Sequence, residues 1–442
     1  MSAAIKELRS GLACGLAAML CAVAVSACGA GHRSGATTST YGATSSVPRG
    51  ARTVYIYSSL PLNGPQRAAS LQIQRGIALA LHSRPYHDHV GGYQVRYRAL
   101  SDSTRRLGHW SAAQTVRNAE LVARNPQAVA YIGDLDSGAT ELSLPILNQA
   151  QIVQLTPGSG YPGLTDAVKG ISLPGEPGKF YPQRNRTLLR LIPSDMVQAA
   201  AALDLLSRMG CTHLGLWQLG TRGQEAEALT NAIRRTAIYY GITIIKTPAL
   251  PRAVKDYINY VHALQTTVNC ALLTGRPTAR AGALTVELHA QLNPGTRIVG
   301  TASFCSSAWA GSFKHYLPTQ AQTSQVYPSL YCTTPLRKLR SYRGSGAFIA
   351  TYRARFHQQP DTYAYYGYQA AELVLAAMSG LSPSVDNRLE VMDGLINGAA
   401  SGPLGAFFSN GNLASDTYGV ERIVNGKPQP YGSGALTPVT VL

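Results

Sequence analysis

Residues 128–157, which read AVAYIGDLDSGATELSLPILNQAQIVQLTP, constrain the fold more than any other part of this sequence. A short apolar run at 128–132 predicts a buried strand that ends at Gly133. A polar turn follows, and Ser137 stands where an N-cap residue would open a helix. A second apolar run at 152–155 predicts another strand. In such a strand, turn, helix, strand unit, the turn after the first strand directs N–H groups and hydroxyls toward small ligands with a negative end.

The same alternation recurs on both sides of this unit. Before it, strands are predicted at 53–57 and 93–100, and helices at 66–83 and 110–124. After a Pro-, Gly- and Arg-rich segment at 168–190, which predicts an extended surface loop, the alternation restarts. This second series comprises strands at 213–218, 242–246, 270–274 and 297–301, and helices at 196–209, 224–240, 254–266 and 280–292. Two more helices are predicted after it, at 341–357 and 363–378. Two such runs in 442 residues predict an α/β protein with two parallel-sheet lobes.

The amino terminus has the pattern of an export signal. A basic start and an apolar run at 12–25 lead into the ending VSAC, which resembles the lipobox of bacterial lipoproteins and predicts lipidation of Cys28. The alternative is a membrane-spanning anchor, for which the apolar run is short and rich in small residues. Residues 1–27 are thus expected to be the signal and residues 28–50, rich in Gly, Ser and Thr, a flexible linker. The mature protein is expected outside the cytoplasm, attached to the membrane through Cys28.

The formal net charge of +17 raises the question of a nucleic-acid partner. The arginines are spread along the chain, however, and no basic run alternates with aromatic residues. An exported protein also meets anionic envelope surfaces rather than nucleic acid. We therefore predict no nucleic-acid partner and interpret the charge as a surface property.

Four cysteines remain after the predicted signal and lipidation site, an even number in an oxidising compartment. Three pairings are possible. The preferred one joins Cys211 to Cys270 and Cys305 to Cys332. The first two each stand at the start of a predicted strand in the same series, and the second two flank one crossing between the lobes.

Motifs for catalysis or cofactors are weak. Gly158, Gly160 and Gly163 have the spacing of a dinucleotide fingerprint, but a proline interrupts it and no helix is predicted to follow. His87 and His89 are close together in a polar turn without a visible third metal ligand. The sequence contains no Walker motif and no nucleophile elbow. We predict no cofactor, no metal and no enzymatic activity.

In order and spacing, four segments resemble the type 1 periplasmic solute-binding proteins, in particular the leucine/isoleucine/valine-binding proteins of ABC importers. The resemblance covers residues 53–427, and its segments are SLPLNGP (59–65), AVAYIGDLDSGAT (128–140) with QLTPGS (154–159), LIPSD (191–195) and GPLGAFFSNGN (402–412). It implies two Rossmann-like lobes joined by three crossing segments, which close over a ligand. Lobe one would comprise 51–192 and 331–382, lobe two 193–330 and 383–442, with crossings near Pro193, Pro328 and Pro383.

The resemblance also implies a ligand site. The capturing hydroxyls and N–H groups of lobe one fall on a set expected to hold a carboxylate, namely Ser137, Gly138, Gly158 and Ser159. Asn63, in the SLPLNGP turn, is included in this site. Tyr363, Tyr365 and Tyr366 lie near an aromatic ligand contact of the family; Tyr365 is predicted to touch the ligand, although the sequence does not separate it from its two neighbours.

The departures from the family concern lobe two. The segment GTASFC (300–305) lacks the acid that would pair with an amino-acid ammonium, and Ala69 stands where lobe one often has a tyrosine. Arg222 and Arg276 occupy turns where aromatic residues are usual, and they would favour a second anionic group on the ligand. The alternative is that both arginines face solvent.

The function implied is that of a monomeric solute-binding lipoprotein, which presents a small carboxylate-bearing ligand to an ABC permease. The alternative is a ligand-sensing or structural envelope lipoprotein that uses the same fold without transport.

Overall fold

The computed structural model describes residues 51–83, 87–219, 224–248, 250, 257–313, 316–381, 387–396, 401–414 and 417–431. The predicted signal and linker, Cys28 and Arg222 lie outside the described residues. Within them, the chain forms two large sheets flanked by helices and a small two-stranded sheet.

The first part of the chain builds a six-stranded sheet, called sheet one. Its strands are β1 (Arg52–Leu60), β2 (His89–Val90), β3 (Tyr93–Ser101), β4 (Ala128–Gly133), β5 (Val153–Thr156) and β6 (Leu188–Arg190). The connecting helices are α1 (Arg67–His82), α2 (Ala112–Arg124) and α3 (Ser137–Gln149). The strand order is β2-β3-β1-β4-β5-β6, and every pair is parallel except β2 with β3. The carboxyl ends of β1, β4 and β5 therefore meet at one edge of the sheet, called the carboxyl edge of sheet one.

The second part of the chain builds a seven-stranded sheet, called sheet two. Its helices are α4 (Asp195–Arg208), α5 (Gln224–Thr236), α6 (Ile258–His262), α7 (Ala279–Gln291), α8 (Ser307–Ser312) and α9 (Gln320–Val326). Its parallel strands are β7 (His213–Leu219), β8 (Thr243–Ile245), β9 (Cys270–Gly275), β10 (Arg297–Gly300) and β11 (Leu330–Thr334). Their carboxyl ends form the corresponding carboxyl edge of sheet two.

The chain then returns to sheet one before it finishes on sheet two. Helices α10 (Ser345–Phe356), α11 (Thr362–Ser379) and α12 (Asn387–Ile396) are followed by the small hairpin of β12 (Ser401–Gly402) and β13 (Gly405–Ala406). The last two strands extend sheet two. β14 (Gly419–Val424) pairs antiparallel with β11, and β15 (Lys427–Pro430) pairs antiparallel with β14, which gives the order β15-β14-β11-β10-β9-β7-β8.

Helix α11 packs directly on α1 in the core of the first lobe. A Cβ atom on Gly76 would lie 1.9 Å from the carbonyl oxygen of Ala364, and one on Gly367 would lie 2.1 Å from that of Ile73. Only glycine allows the two backbones to approach this closely. The core that this contact closes also contains buried residues of β1, β3, β4, α10 and α12.

The predicted α/β fold with two parallel-sheet lobes is confirmed, but the segments are divided differently. β11 pairs with β10, so Leu330–Thr334 belongs to lobe two and the second crossing lies after Thr334 instead of near Pro328. Buried residues of α12 share the first core, as does Leu413, so the third crossing comes after Leu413. Pro383 lies outside the described residues. We therefore assign residues 51–190 and 335–413 to lobe one, and 195–334 and 419–430 to lobe two, with gaps where residues are not described.

The segment 168–190 was predicted as an extended surface loop, and this is only partly correct. Leu188–Arg190 forms β6, the last strand of sheet one, and Ile171, Phe180 and Tyr181 are buried. An arginine within a three-residue strand hides the apolar pattern on which a strand prediction depends.

Among the described helices, none has both the length and the apolar character needed to cross a membrane.

Candidate functional site

Hydrogen bonds to the Asp134 side chain hold the turn between β4 and α3 in place. This side chain is fully buried, and its carboxylate accepts hydrogen bonds from the Tyr131 hydroxyl at 2.8 Å and the Ser143 hydroxyl at 2.5 Å. Asp136 occupies the N-cap position, so Ser137 is the first residue of the helix and not its cap as predicted. The buried carboxylate holds the turn in one conformation and so places the first N–H groups of α3 at the carboxyl edge of sheet one.

Ser137 and Gly138 form the opening of α3. The Ser137 hydroxyl accepts a hydrogen bond from the Tyr161 backbone N–H at 3.2 Å, so its own hydrogen can be donated to a ligand. The indole of Trp110 lies over Gly138, since a Cβ atom there would be 2.8 Å from Trp110 Cζ2. Trp110 is half-buried and precedes α2, whereas the sequence pattern placed it inside that helix. An aromatic wall beside a helix N-terminus suits a ligand with a carboxylate and an apolar body.

The turn after β5 makes inward hydrogen bonds. The Thr156 hydroxyl accepts from the N–H groups of Ser159, at 3.0 Å, and Gly158, at 3.3 Å. Ser159 is fully buried, and its hydroxyl is hydrogen-bonded to that of Thr140 at 2.7 Å. Ser159 therefore stabilises the turn in this structure, and contact of its hydroxyl with a ligand stays a prediction. Gly158 is half-buried against Leu135, where a Cβ atom would lie 2.3 Å from the Leu135 carbonyl oxygen.

Arg190 is a residue of the site that the sequence did not reveal. Its guanidinium is completely buried and donates hydrogen bonds to the carbonyl oxygens of Gly160, at 2.6 Å, and Tyr161, at 2.8 Å. A third bond, of 3.2 Å, goes to the Thr165 hydroxyl. Burial lowers the pKa of this guanidinium, against the charges of Asp195 and Asp166, which raise it. Arg190 thus holds the loop that contains Tyr161, and the backbone N–H of Tyr161 donates to the Ser137 hydroxyl.

Asn63 also joins two segments at this edge. Its backbone N–H donates to the Ser103 hydroxyl at 2.9 Å, and its side-chain amide donates to the same hydroxyl at 3.1 Å and to the Ser103 carbonyl oxygen at 3.3 Å. The turn after β1 is thereby tied to the segment after β3. Asn63 is half-buried, and the structure gives it a bracing role at the predicted site.

Three acids lie close enough to influence one another at this edge. Asp102 is fully buried, and neither of its carboxylate oxygens has a hydrogen-bond partner. Burial, together with the charges of Asp134 and Asp136, raises the pKa of Asp102 to about 8. Burial likewise raises the pKa of Asp134 to about 7, although the hydrogen bonds it accepts oppose this shift. Near neutral pH, therefore, this edge carries less negative charge than three ionised acids would give it.

The tyrosines of α11 are distributed differently from the prediction. Tyr365 is 1% exposed and packs in the core, where its hydroxyl donates to the Arg343 carbonyl oxygen at 2.9 Å. Tyr366 is also buried and bonds the Pro335 carbonyl oxygen at 3.1 Å. Tyr363 is half-buried, and burial together with the charges of Asp361 and Asp136 raises its pKa. Of the three tyrosines, Tyr363 is the one that is not fully buried, so its side chain remains accessible to a ligand.

Sheet two contributes a more open edge. At the end of β9, Gly275 has a φ of +94°, and a Cβ atom there would lie 1.7 Å from the Leu219 carbonyl oxygen. The backbone N–H of Arg276 donates to that same oxygen at 2.9 Å, and the Arg276 side chain is exposed. After β10, the hydroxyl of Ser303 donates to the Gly275 carbonyl oxygen.

Both cysteine pairs are the preferred ones. Cys211 is bonded to Cys270 and Cys305 to Cys332, with Cα–Cα distances of 5.6 and 5.5 Å. In the part of the chain that the structure describes, one group has metal-ligand chemistry: these last two cysteines with Glu421. Since the two sulfur atoms are joined to each other, this group is a disulfide beside a carboxylate.

The architecture is shared with known solved structures of low sequence identity. An ABC transporter substrate-binding protein from Desulfitobacterium hafniense superposes with a TM-score of 0.65 at 20% identity, covering 86% of this chain and all of that one. A branched-chain amino acid transporter substrate-binding protein from Streptococcus pneumoniae, in complex with isoleucine, gives 0.63 at 17% identity, covering 86% of this chain and 98% of the other. A solute-binding protein from R. palustris, in complex with benzoate, gives 0.63 at 14% identity, with coverage of 88% and 99%.

Sequence comparisons identify the family to which this chain belongs. Among curated protein sequences, none matches this chain. The family model described as periplasmic binding protein, in contrast, matches residues 55–427, which include both sheets and nearly all of the described chain. The predicted resemblance is confirmed at this level, and the chain belongs to the periplasmic binding protein family, with the type 1 fold.

Proposed function

We propose that this protein is the solute-binding lipoprotein of an ABC-type importer, and that it binds a small ligand through the ligand's carboxylate. The observation that carries the proposal is the start of α3, where the Ser137 hydroxyl and the Gly138 backbone stand beside Trp110 at the carboxyl edge of sheet one. A helix N-terminus favours negative charge because its N–H groups and dipole point toward the ligand. The ligands named for the similar structures, isoleucine and benzoate, both carry a carboxylate.

The contacts that we assign to the ligand carboxylate are Ser137 and Gly138, with Gly158 beside them. Trp110 and Tyr363 would contact the apolar part of the ligand. Arg276, exposed at the carboxyl edge of sheet two, would approach the ligand when the lobes close, and it suits a second anionic group. Since the segment 300–305 contains no acid, an organic acid fits this arrangement better than an α-amino acid.

The ligand would bind to lobe one first, and the two lobes would then close over it. The Gly160 carbonyl oxygen accepts from the Asp195 N–H at 2.8 Å, so the loop that supports Ser137 contacts the first residue of α4 in lobe two. Rotation about the three crossings would therefore be linked to ligand binding at this loop, and the closed form would be the one that the permease recognises.

The test compares Ser137→Ala with Ser324→Ala, a control in which an exposed serine on α9 bonds only its own helix. A calorimetric and thermal-shift screen of aromatic acids, dicarboxylates and amino acids would identify the ligand, since a ligand at a hundredfold excess over Kd stabilises by about 2.7 kcal/mol. We expect Ser137→Ala to weaken binding about tenfold or more, because a hydrogen bond to a charged group is worth about 1.5–3 kcal/mol. Equal affinity in the two variants would remove Ser137 from the site, and a screen without any hit would contradict the proposed function.

The attachment to the membrane has its own test. If Cys28 carries the lipid, full-length protein should sediment with membranes, and Cys28→Ser should be found in the soluble extracytoplasmic fraction. A Cys28→Ser protein that still sediments with membranes would contradict the lipid anchor and favour a retained apolar segment.

A further inference from the structure

A cavity lies in lobe one, with a volume of about 660 Å³, which is within the usual range for small-molecule sites. Its walls come from the end of α1, from α10 and α11, and from β12 with the residue after it. Leu79 of α1 lines this cavity. At the helical rise of 1.5 Å per residue, Leu79 lies about 18 Å from Arg67, where α1 begins near the carboxyl edge. The cavity is therefore separate from the site at Ser137.

Three aromatic rings form one wall of the cavity. The ring of Phe348 lies 5.0 Å from that of Tyr365 and 5.1 Å from that of Tyr368, measured between centroids. The two tyrosine rings are nearly parallel, with an interplanar angle of 11°. The hydroxyl of Tyr365 is bonded to the Arg343 carbonyl oxygen, which fixes the ring. Such a wall offers apolar surface and ring faces that attract cations.

Glu372 lines the same cavity, and its carboxylate is incompletely satisfied. Tyr368 donates a hydrogen bond to this carboxylate, but the Oε1 atom is buried and has no hydrogen-bond partner. Burial raises the pKa of Glu372. The residue as a whole is half-buried and lines the cavity, so its carboxylate can form a charge-assisted hydrogen bond with a cationic group there.

We propose that this cavity is a second ligand site, which binds a small amine that carries an apolar group. The ammonium would pair with the Glu372 carboxylate, and the apolar group would lie against Phe348, Tyr365 and Tyr368. Arg343, the cation lining the cavity, is exposed. An anionic ligand would meet the Glu372 carboxylate, whereas an ammonium gains both a charge-assisted hydrogen bond and the ring faces. The ligand class is thus opposite in charge to the carboxylate proposed for the site at Ser137.

The experiment is calorimetric titration of the full chain with 2-phenylethylamine, near pH 8. The neutral 2-phenylethanol and the anionic 3-phenylpropanoate serve as ligand controls of similar shape. Glu372→Gln keeps the shape of the side chain and removes its charge, and Ala376→Trp places a ring at an exposed position of the cavity lining without touching the core. Glu120→Gln, on the exposed face of α2, is the matched control for loss of one carboxylate.

The proposal requires that the wild-type chain bind the amine more tightly than the alcohol or the acid. Glu372→Gln should weaken amine binding about tenfold or more, Ala376→Trp should abolish it, and Glu120→Gln and Ser137→Ala should leave it unchanged. Absence of amine binding by the wild type would overturn the proposal, as would equal binding of the neutral alcohol or an unchanged affinity in both cavity variants. Loss of amine binding in Ser137→Ala would place the amine at the carboxyl edge and would equally overturn it.

Discussion

The two carboxyl edges are held in place by different means. At the edge of sheet one, buried polar side chains fix the turns: Asp134 lies beneath the start of α3, and Arg190 holds the loop at Gly160 and Tyr161. Lobe one, as assigned here, contains no cysteine. Lobe two carries both disulfides, while Arg276 at its edge is exposed.

This difference indicates a division of roles. An edge whose donors are fixed before the ligand arrives loses little conformational entropy on binding, so lobe one is suited to capture the ligand. An exposed arginine on a four-bond side chain can adapt to different ligands, so lobe two is suited to select among them after closure. The following variants would test this division, beginning with the largest expected effect.

Arg190→Met should have the largest effect on stability. The substitution removes the buried guanidinium and its hydrogen bonds to the carbonyl oxygens of Gly160 and Tyr161, and breaking a buried charged network typically costs about 3–5 kcal/mol. We expect urea denaturation to show a loss of this size and calorimetry to show weakened ligand binding. Arg276→Met is the matched control, for which a change below about 0.5 kcal/mol is expected at an exposed position. Equal losses of stability in the two variants would show that the two carboxyl edges do not differ in how they are held in place.

Asp102 should make the stability of lobe one depend on pH. Its pKa is about 8 in the folded chain, above the ordinary value of 3.8 for an aspartate, so the folded state retains a proton that the unfolded state has lost. The stabilisation is complete below about pH 4 and is lost as the pH rises through about 8, with a slope of at most about 1.4 kcal/mol per pH unit. Asp134 contributes in the same direction, up to its pKa of about 7.

Denaturation series between pH 5 and 9 would measure this loss for the wild type and for Asp102→Asn. The variant cannot ionise and should therefore show a shallower decline, with Glu120→Gln as the control for loss of a surface carboxylate. The same slope in Asp102→Asn and the wild type would mean that Asp102 is not kept neutral by its surroundings.

The sequence predicted those parts of the fold that depend on local pattern. β1, β4 and β5 lie within a few residues of the apolar runs that predict them, because strands buried on both faces read as continuous apolar segments. β3 follows its alternating pattern. β6 and β11 are not predicted as strands, and residues 331–334 are expected in lobe one. Both are short, and their strand character depends on pairing with β5 and β10, which the local pattern does not contain.

The candidate site likewise contains some residues that local sequence patterns predict and others that they do not. The pattern of a strand followed by a helix predicts that Ser137 lies at a helix start, and the family resemblance adds Gly138. Trp110 and Arg190 could not be found, since each acts on a segment distant in the sequence. The sequence does not choose among the tyrosines of α11, because residues two apart face different sides of a helix and only the packing of α11 on α1 shows which side is buried.

Arg276→Glu should have the smallest effect on stability and a selective effect on binding. The side chain is exposed, so we expect the free energy of unfolding to change by less than about 0.5 kcal/mol. Affinity for a carboxylate ligand should fall several-fold, mainly through slower association, and the loss should shrink at high salt because exposed charges are screened. Stopped-flow measurements that follow Trp110 would resolve this, since Trp217 and Trp309 are buried in lobe two. If the association rate and its salt dependence match those of the wild type, Arg276 faces solvent in the complex, and selection of the ligand rests on the edge of sheet one alone.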